Sequence, residues 1–151
     1  MVKIVYGNLL DAKEDIICHQ VNARGVMGSG VAKAIRDKWP NVYKNYKEYC
    51  YNHGAIYLMG TCLLVPINEG DQAVVNMFAQ YDYGRDDRRF TSYDAFYECL
   101  EFIKQTVHRQ CSVAFPYGIG CGLGGGNWDI IYAMICDVLG DWDVVIYKLE
   151  D

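Results

Sequence analysis

No apolar run in this chain approaches the ~20 residues that a membrane-spanning helix requires, so the sequence predicts no membrane span and no membrane partner. The opening Met1-Val2-Lys3-Ile4-Val5-Tyr6 has the pattern of a short strand rather than a signal peptide, which predicts a cytoplasmic protein. Positive charge is also scarce. Fourteen Lys and Arg stand against 19 Asp and Glu, for a formal net charge of −5. Gripping a phosphate backbone takes a surplus of Lys and Arg, so this balance argues against general nucleic-acid binding. The one basic cluster, Arg85, Arg88 and Arg89, is diluted by Asp86 and Asp87 and reads as a solvated loop. The seven cysteines are odd in number, and no pair has metal-ligand spacing, so no metal site and no disulfide framework is expected. Cys18, Cys62, Cys99, Cys111 and Cys136 lie within apolar runs and read as small core residues in a reducing compartment. Repeats, linkers and low-complexity tracts are missing too. With 151 residues, 52% hydrophobic and 22% charged, the chain reads as a single domain over residues 1–151.

What the sequence concentrates is glycine. The segment Pro116-Tyr117-Gly118-Ile119-Gly120-Cys121-Gly122-Leu123-Gly124-Gly125-Gly126-Asn127-Trp128 holds six glycines in nine positions. It follows an apolar run, residues 111–115, and precedes an amphipathic one, residues 128–139. Strand, glycine loop, helix is the natural reading. Glycine lets the backbone approach a ligand closely, and free N–H groups at a helix N-terminus favour an anion. A phosphate or diphosphate pocket is therefore expected. The segment has no Lys-Ser/Thr ending, so it is not a Walker loop, and it lies near the C-terminus with no following strand and acid of the dinucleotide-binding kind. Cys121 lies inside the loop with no His or acid beside it in sequence to lower its pKa, which weakens a nucleophile reading.

A second glycine-rich segment, His19-Gln20-Val21-Asn22-Ala23-Arg24-Gly25-Val26-Met27-Gly28-Ser29-Gly30-Val31, also follows an apolar run and opens a helix. Two such loops in one small domain could clamp adjacent phosphates from opposite sides. Around them, residues 2–6, 15–21, 61–66, 73–79, 111–115 and 144–149 read as strands. Residues 31–39, 42–52, 92–109 and 128–139 read as helices, with Ser92 and Asn127 as N-caps. Asn68-Glu69-Gly70-Asp71 is a turn signal joining two strands into a hairpin, and residues 81–91 read as an irregular loop. Strands interleaved with helices predict an α/β domain with a mixed sheet covered on both faces.

With both loops placed, the chain resembles a macrodomain. The resemblance rests on Gly7-Asn8-Leu9-Leu10 after the first strand, the strand end His19-Gln20-Val21-Asn22, the loop from Gly25 to Gly30, and Tyr117-Gly118-Ile119-Gly120-Cys121-Gly122 followed by a Trp-initiated helix. It covers almost the whole chain. The form Gly-Ile-Gly-Cys-Gly-Leu is most similar to the branch holding terminal ADP-ribose glycohydrolases and ADP-ribose 1″-phosphate processing proteins. The resemblance implies a three-layer α/β/α sandwich with a mixed central sheet, binding ADP-ribose at the strand C-termini without a cofactor. It further implies that Asn8, in place of the usual Asp, reads the adenine amino group, and that Leu9 and Gln80 also belong to the ligand site. Asn22 would orient the distal ribose. Gly25, Val26, Met27, Gly28, Ser29, Gly30 and Val31 would wrap the distal ribose and α-phosphate. Tyr117, Gly118, Ile119, Gly120, Cys121, Gly122 and Leu123 would grip the diphosphate.

Two departures bear on the chemistry. Where the glycohydrolase subgroup carries an attacking lysine this chain has Gln80, and where it carries an assisting aspartate this chain has Gly124. Neither can do covalent or acid–base work. The remaining catalytic candidates are His19, Asn22 and Asp82. His19 has an intrinsic pKa near neutrality and matches a histidine of the phosphate-processing relatives. Asp82 is followed by Arg85 in the loop after Gln80, where an acid could activate water and an Arg could hold a phosphate. Three functions stay open. The favoured one is hydrolysis of ADP-ribose 1″-phosphate or of an ADP-ribosylated substrate; the others are a non-catalytic ADP-ribose reader and an α/β domain for another nucleotide.

Overall fold

The computed structural model describes residues 1–150. Six strands, β1 (Val2–Tyr6), β2 (Ile16–Asn22), β3 (Cys62–Ile67), β4 (Gln72–Gln80), β5 (Val113–Pro116) and β6 (Val144–Lys148), form one sheet in the order β1-β6-β5-β2-β4-β3. All pairings are parallel except β3 with β4, the predicted hairpin. Five helices cover it: α1 (Gly30–Lys38), α2 (Pro40–Asn52), the single turn α3 (Ala55–Leu58), α4 (Tyr93–Thr106) and α5 (Trp128–Leu139).

Successive strand side chains point to opposite faces, and the central strands carry apolar residues toward both faces because both are covered, with His19, Gln20, Asn22 and Gln80 gathered toward the C-terminal ends of β2 and β4. Ile17 and Val21 of β2, Val74 and Phe78 of β4, and Ala114 of β5 pack with Ile35, Val42 and Tyr46 of α1 and α2. The alternate residues Ile16, Cys18, Val75, Met77 and Phe115 pack with Phe96, Leu100 and Ile103 of α4 and Ile131 and Ile135 of α5. The result is the expected three-layer α/β/α sandwich.

Local signals set most boundaries. Pro40 opens α2 and holds Trp39 outside the helical region, which separates α1 from α2. The Ser92 side chain accepts from Ala95 N at 3.1 Å and starts α4. That helix stops at Thr106, short of the expected 109, because Val107 is extended and a turn through His108 follows. Correspondingly β5 begins at Val113 rather than 111. Ser112 is engaged with the Asp15 carboxylate, from its backbone N at 2.8 Å and its hydroxyl at 3.1 Å. The turn α3 lies within a stretch too short for helical periodicity to register.

For the site, the decisive outcome is that β2, β4 and β5 all end at one edge of the sheet. A register shift between Val21 and Asn22 there sets Asn22 opposite Gln80, and such an irregularity re-aims the strand-end side chain. No helix among the described residues is long and apolar enough to cross a membrane.

Candidate functional site

A cavity of about 600 Å³ opens at the ends of β2, β4 and β5. Both glycine loops line it: Val26, Gly28, Ser29, Gly30 and Val31 from the first, and Tyr117, Gly118, Ile119, Gly120, Gly122, Leu123 and Gly124 from the second. His19, Gln20 and Asn22 line it from β2 and Gln80 from β4, with Tyr83, Gly84 and Arg85 from the loop that follows.

The second loop is built on alternation. Tyr117, Ile119 and Cys121 donate their N–H groups to protein carbonyls, as do Gly125 and Gly126. The N–H groups of Gly118, Gly120, Gly122, Leu123 and Gly124 donate to no acceptor among the described residues. Gly118 and Gly120 sit at φ of 75° and 76°, a region costly for any side chain. Alternating such residues with ordinary ones makes a concave run of amides that suits an anion. Opposite, α1 begins at Gly30 with no side-chain cap from Ser29, so its first-turn N–H groups are open at the cavity wall.

The expectation that both loops present a helix N-terminus holds for α1 alone. Helix α5 starts beyond the lining residues, and the Asn127 side chain caps it by accepting from Asp129 N at 2.9 Å. Trp128 likewise stands behind the loop, its ring 4.6 Å from that of Tyr117.

On the floor, His19 is 1% exposed and its Nε2 lies 2.6 Å from Asn76 Oδ1. Asn76 Nδ2 donates to Leu63 O, so Oδ1 is the acceptor and His19 carries its proton on Nε2. Nδ1 is left as an acceptor without a protein partner. Burial lowers the His19 pKa to about 4, against a smaller upward push from the Asn76 bond. The imidazole is therefore neutral near pH 7 and a weak base, better suited to orienting water or a hydroxyl than to holding a proton.

Asn22 is nearly saturated. Its Oδ1 accepts from Arg24 N at 3.0 Å and lies 2.9 Å from Tyr46 Oη, while Nδ2 donates to Val26 O at 2.8 Å. The amide so braces the first loop and keeps one N–H for a ligand. Gln80, at the position of the attacking lysine, accepts from Gln20 at 2.9 Å and donates to Asp82 O at 2.8 Å. Gln20 also donates to Thr91 Oγ1 at 2.8 Å, and Thr91 donates to Gly120 O at 2.7 Å. This buried chain ties β2 and β4 to the second loop. The absence of an acid at Gly124 is steric as well as chemical: a Cβ built there would lie 2.5 Å from Thr91 Oγ1 and 2.7 Å from Gly120 O.

Other expected residues stand apart from the cavity wall. Asn8 and Leu9 follow β1 at the same sheet edge, where the Asn8 side chain accepts from Leu10 N at 2.9 Å and Leu9 is buried. Gly25 supports the first loop at φ 79°, and Met27 is fully buried as its anchor in the core. Cys121 contacts the α4–α5 core, and burial raises its thiol pKa, the reverse of what a nucleophile needs. Asp82 is turned away from the cavity wall. One of its oxygens accepts from Tyr83 N at 2.8 Å, and the other lies 3.6 Å from Arg24. Among the cysteines, Cys18, Cys62 and Cys99 are buried as expected, whereas Cys111 and Cys136 are half-buried. The sequence reading missed Thr91, Tyr46, Asn76 and the brace made by Gln20, for which no local pattern exists. No group of three or more His, Cys, Asp or Glu among the described residues could hold a metal ion.

Comparison with known proteins agrees with this geometry. Residues 18–135 match the family model for the Macro domain. The chain is 32% identical to an ADP-ribose 1″-phosphate phosphatase of Saccharomyces cerevisiae, covering 98% of each chain. It is 26% identical to a DNA ADP-ribosyl glycohydrolase of Mycobacterium tuberculosis, with 97% of this chain aligned to 42% of that longer protein. The structure of the macrodomain of Mycobacterium tuberculosis DarG superposes with a TM-score of 0.85 at 22% identity, over 99% of both chains, and supports the fold. The chain belongs to the Macro domain family.

Proposed function

We propose that this protein binds ADP-ribose and hydrolyses an ADP-ribose derivative, either ADP-ribose 1″-phosphate or an ADP-ribosylated substrate. The carrying observation is the row of unpartnered N–H groups in residues 118–124, set across the cavity from the uncapped start of α1. A diphosphate between them would meet oriented dipoles from both sides. In this reading Gly118, Gly120, Gly122 and Leu123 hold the diphosphate, and the adenine extends beyond the cavity wall toward Asn8. Asn22 and the first loop position the distal ribose. Water, oriented by His19 and Asn22, bonds to the phosphorus of a 1″-phosphate or to C1″ of an ADP-ribosyl group, the bond from that atom to the leaving group breaks, and the proton of the water ends on the leaving group. The lysine-dependent route is excluded from this proposal because no Lys lines the cavity and Gln80 is bound into the floor. Positioning and preorganised dipoles carry the acceleration. Residues 1–151 act as one macrodomain in the cytoplasm, without general affinity for nucleic acid, in keeping with the net charge of −5.

One observation favours a second reading, a non-catalytic ADP-ribose reader: among the described residues, no Asp or Glu lines the cavity. The two are separated by incubating the purified protein with ADP-ribose 1″-phosphate and with ADP-ribosylated DNA and protein, following phosphate and ADP-ribose release. Turnover of any of them supports the enzyme. Binding of ADP-ribose with no turnover of any supports the reader.

A further inference from the structure

The cavity wall carries a single formally charged side chain, Arg85. Of the other charges in its surroundings, three arginines are engaged elsewhere, while Asp87 makes no ion pair among the described residues. Arg24 lies 3.6 Å from Asp82 and over the Tyr81 ring at 4.8 Å. Arg88 is 3.0 Å from Asp86, and Arg89 stacks on Tyr93 at 4.4 Å. Arg85 makes no ion pair and no side-chain hydrogen bond with any described residue. The backbone just before it packs on Phe90, since a Cβ on the preceding Gly84 would lie 2.6 Å from that ring. The Arg85 side chain is exposed and stands at the rim of a concave site, free to meet an anionic ligand group.

The sheet order says which end of the ligand that group occupies. Arg85 follows β4, which lies on the far side of β2 from β5, β6 and β1. The diphosphate has its own donors between β2 and β5, in the second loop and the start of α1. A ligand with its adenine toward Asn8 after β1 therefore carries its distal ribose toward β4 and Arg85. Arg85 then offers a partner for a second anion at that distal end, beyond the diphosphate. Guanidinium matches the oxygens of a phosphomonoester in a fork and offers no comparable gain to a neutral group.

We propose that Arg85 is a specificity-determining residue that selects ADP-ribose derivatives carrying a phosphomonoester on the distal ribose over those carrying a neutral group there. This rests on reading the cavity as an ADP-ribose site. The test compares three ligands by displacement of a fluorescent ADP-ribose probe in the cold, before turnover: ADP-ribose, ADP-ribose 1″-phosphate, and ADP-ribose 2′-phosphate, which adds the phosphate at the adenosine end. Arg85→Gln is expected to weaken binding of the 1″-phosphate by about 10- to 100-fold, the range for hydrogen bonds to charged groups. It should leave the other two unchanged, while Arg85→Lys, which keeps charge without the fork, gives an intermediate loss. Equal losses for all three ligands would overturn the assignment, as would an unchanged preference in Arg85→Gln. A wild-type protein that displaces no probe with any ligand would instead overturn the ADP-ribose reading beneath it.

Discussion

Replacing Thr91 with valine tests the physical link between the sheet and the diphosphate loop. Thr91 is 2% exposed, accepts from Gln20 Nε2 at 2.8 Å and donates to Gly120 O at 2.7 Å. Valine keeps the shape and removes both bonds. Neither former partner is wholly orphaned, because Gln20 keeps its 2.9 Å bond to Gln80 and Gly120 O still accepts from Gly126 N at 2.8 Å. Two neutral buried hydrogen bonds at about 1 kcal/mol each give a loss of about 2 kcal/mol. For a domain of this size that is a fall in Tm of about 4–8 °C. Freeing the Gly120 peptide also loosens the amides on either side of it, so ADP-ribose affinity should drop by about tenfold, equivalent to about 1.4 kcal/mol. Thermal melts followed by circular dichroism and titration calorimetry with ADP-ribose measure both effects. Thr91→Ser, which restores the hydroxyl, should recover most of each. A Thr91→Val protein with wild-type Tm and affinity would refute the claim that this chain of bonds holds the loop.

The neighbouring groups yield predictions of different kinds. Because burial lowers the His19 pKa to about 4 from 6.5, the unfolded chain binds this proton more tightly than the folded one. The stability concerned is intact above pH 6.5 and is lost as pH falls toward 4, with about 2 kcal/mol gone between pH 7 and pH 5. Urea unfolding at the two pH values should show that loss shrinking in His19→Gln, and an identical pH dependence in both proteins would contradict it. Gly122→Val should melt like wild type, since nothing lies within 4 Å of a Cβ there, yet lose ADP-ribose binding by filling the cavity. Gly124→Ala should lose about 1–3 kcal/mol through overlap with the Thr91 hydroxyl and the Gly120 carbonyl, and the opposite pattern in melts and calorimetry would count against the loop geometry. Borohydride added during turnover of an ADP-ribosylated substrate should trap no lysine adduct, because Gln80 occupies that position; mass spectrometry revealing one would rule out direct attack by water.

The layers of the fold were legible because the signals that build them are local. The alternation Ile16, Cys18 against Ile17, Val21 is strand geometry written twice, once for each face, and Pro40, Ser92 and Asn127 mark helix starts by their own backbone chemistry. Both loops were legible as glycine sequences. Their inner division was not. Gly122 faces open space while Gly124 is packed against Thr91, a difference set by a residue from another strand connection. Thr91 itself is one polar residue in an irregular stretch, and its role exists only through Gln20, 71 positions away. Met27 reads in sequence as part of a ligand loop and in space is that loop's anchor in the core. Asp82 invited a catalytic role by adjacency to Arg85, but Arg24, from the first loop, engages it instead.

The strand order also governs how this molecule comes into being. Only β3 and β4 are joined by a tight hairpin; β5 and β6, also consecutive, pair in parallel across α5, and β1 pairs with β6, β5 with β2, and β2 with β4. Each of those parallel pairings closes a long loop before it is rewarded by contacts, which slows folding. The cavity needs three of these strand ends together, from β2, β4 and β5. No short fragment of the chain holds it, since its lining runs from His19 to Gly124. Ligand-binding competence is thus acquired late in folding and all at once, and a partly folded chain, however helical, has nothing with which to grasp a diphosphate.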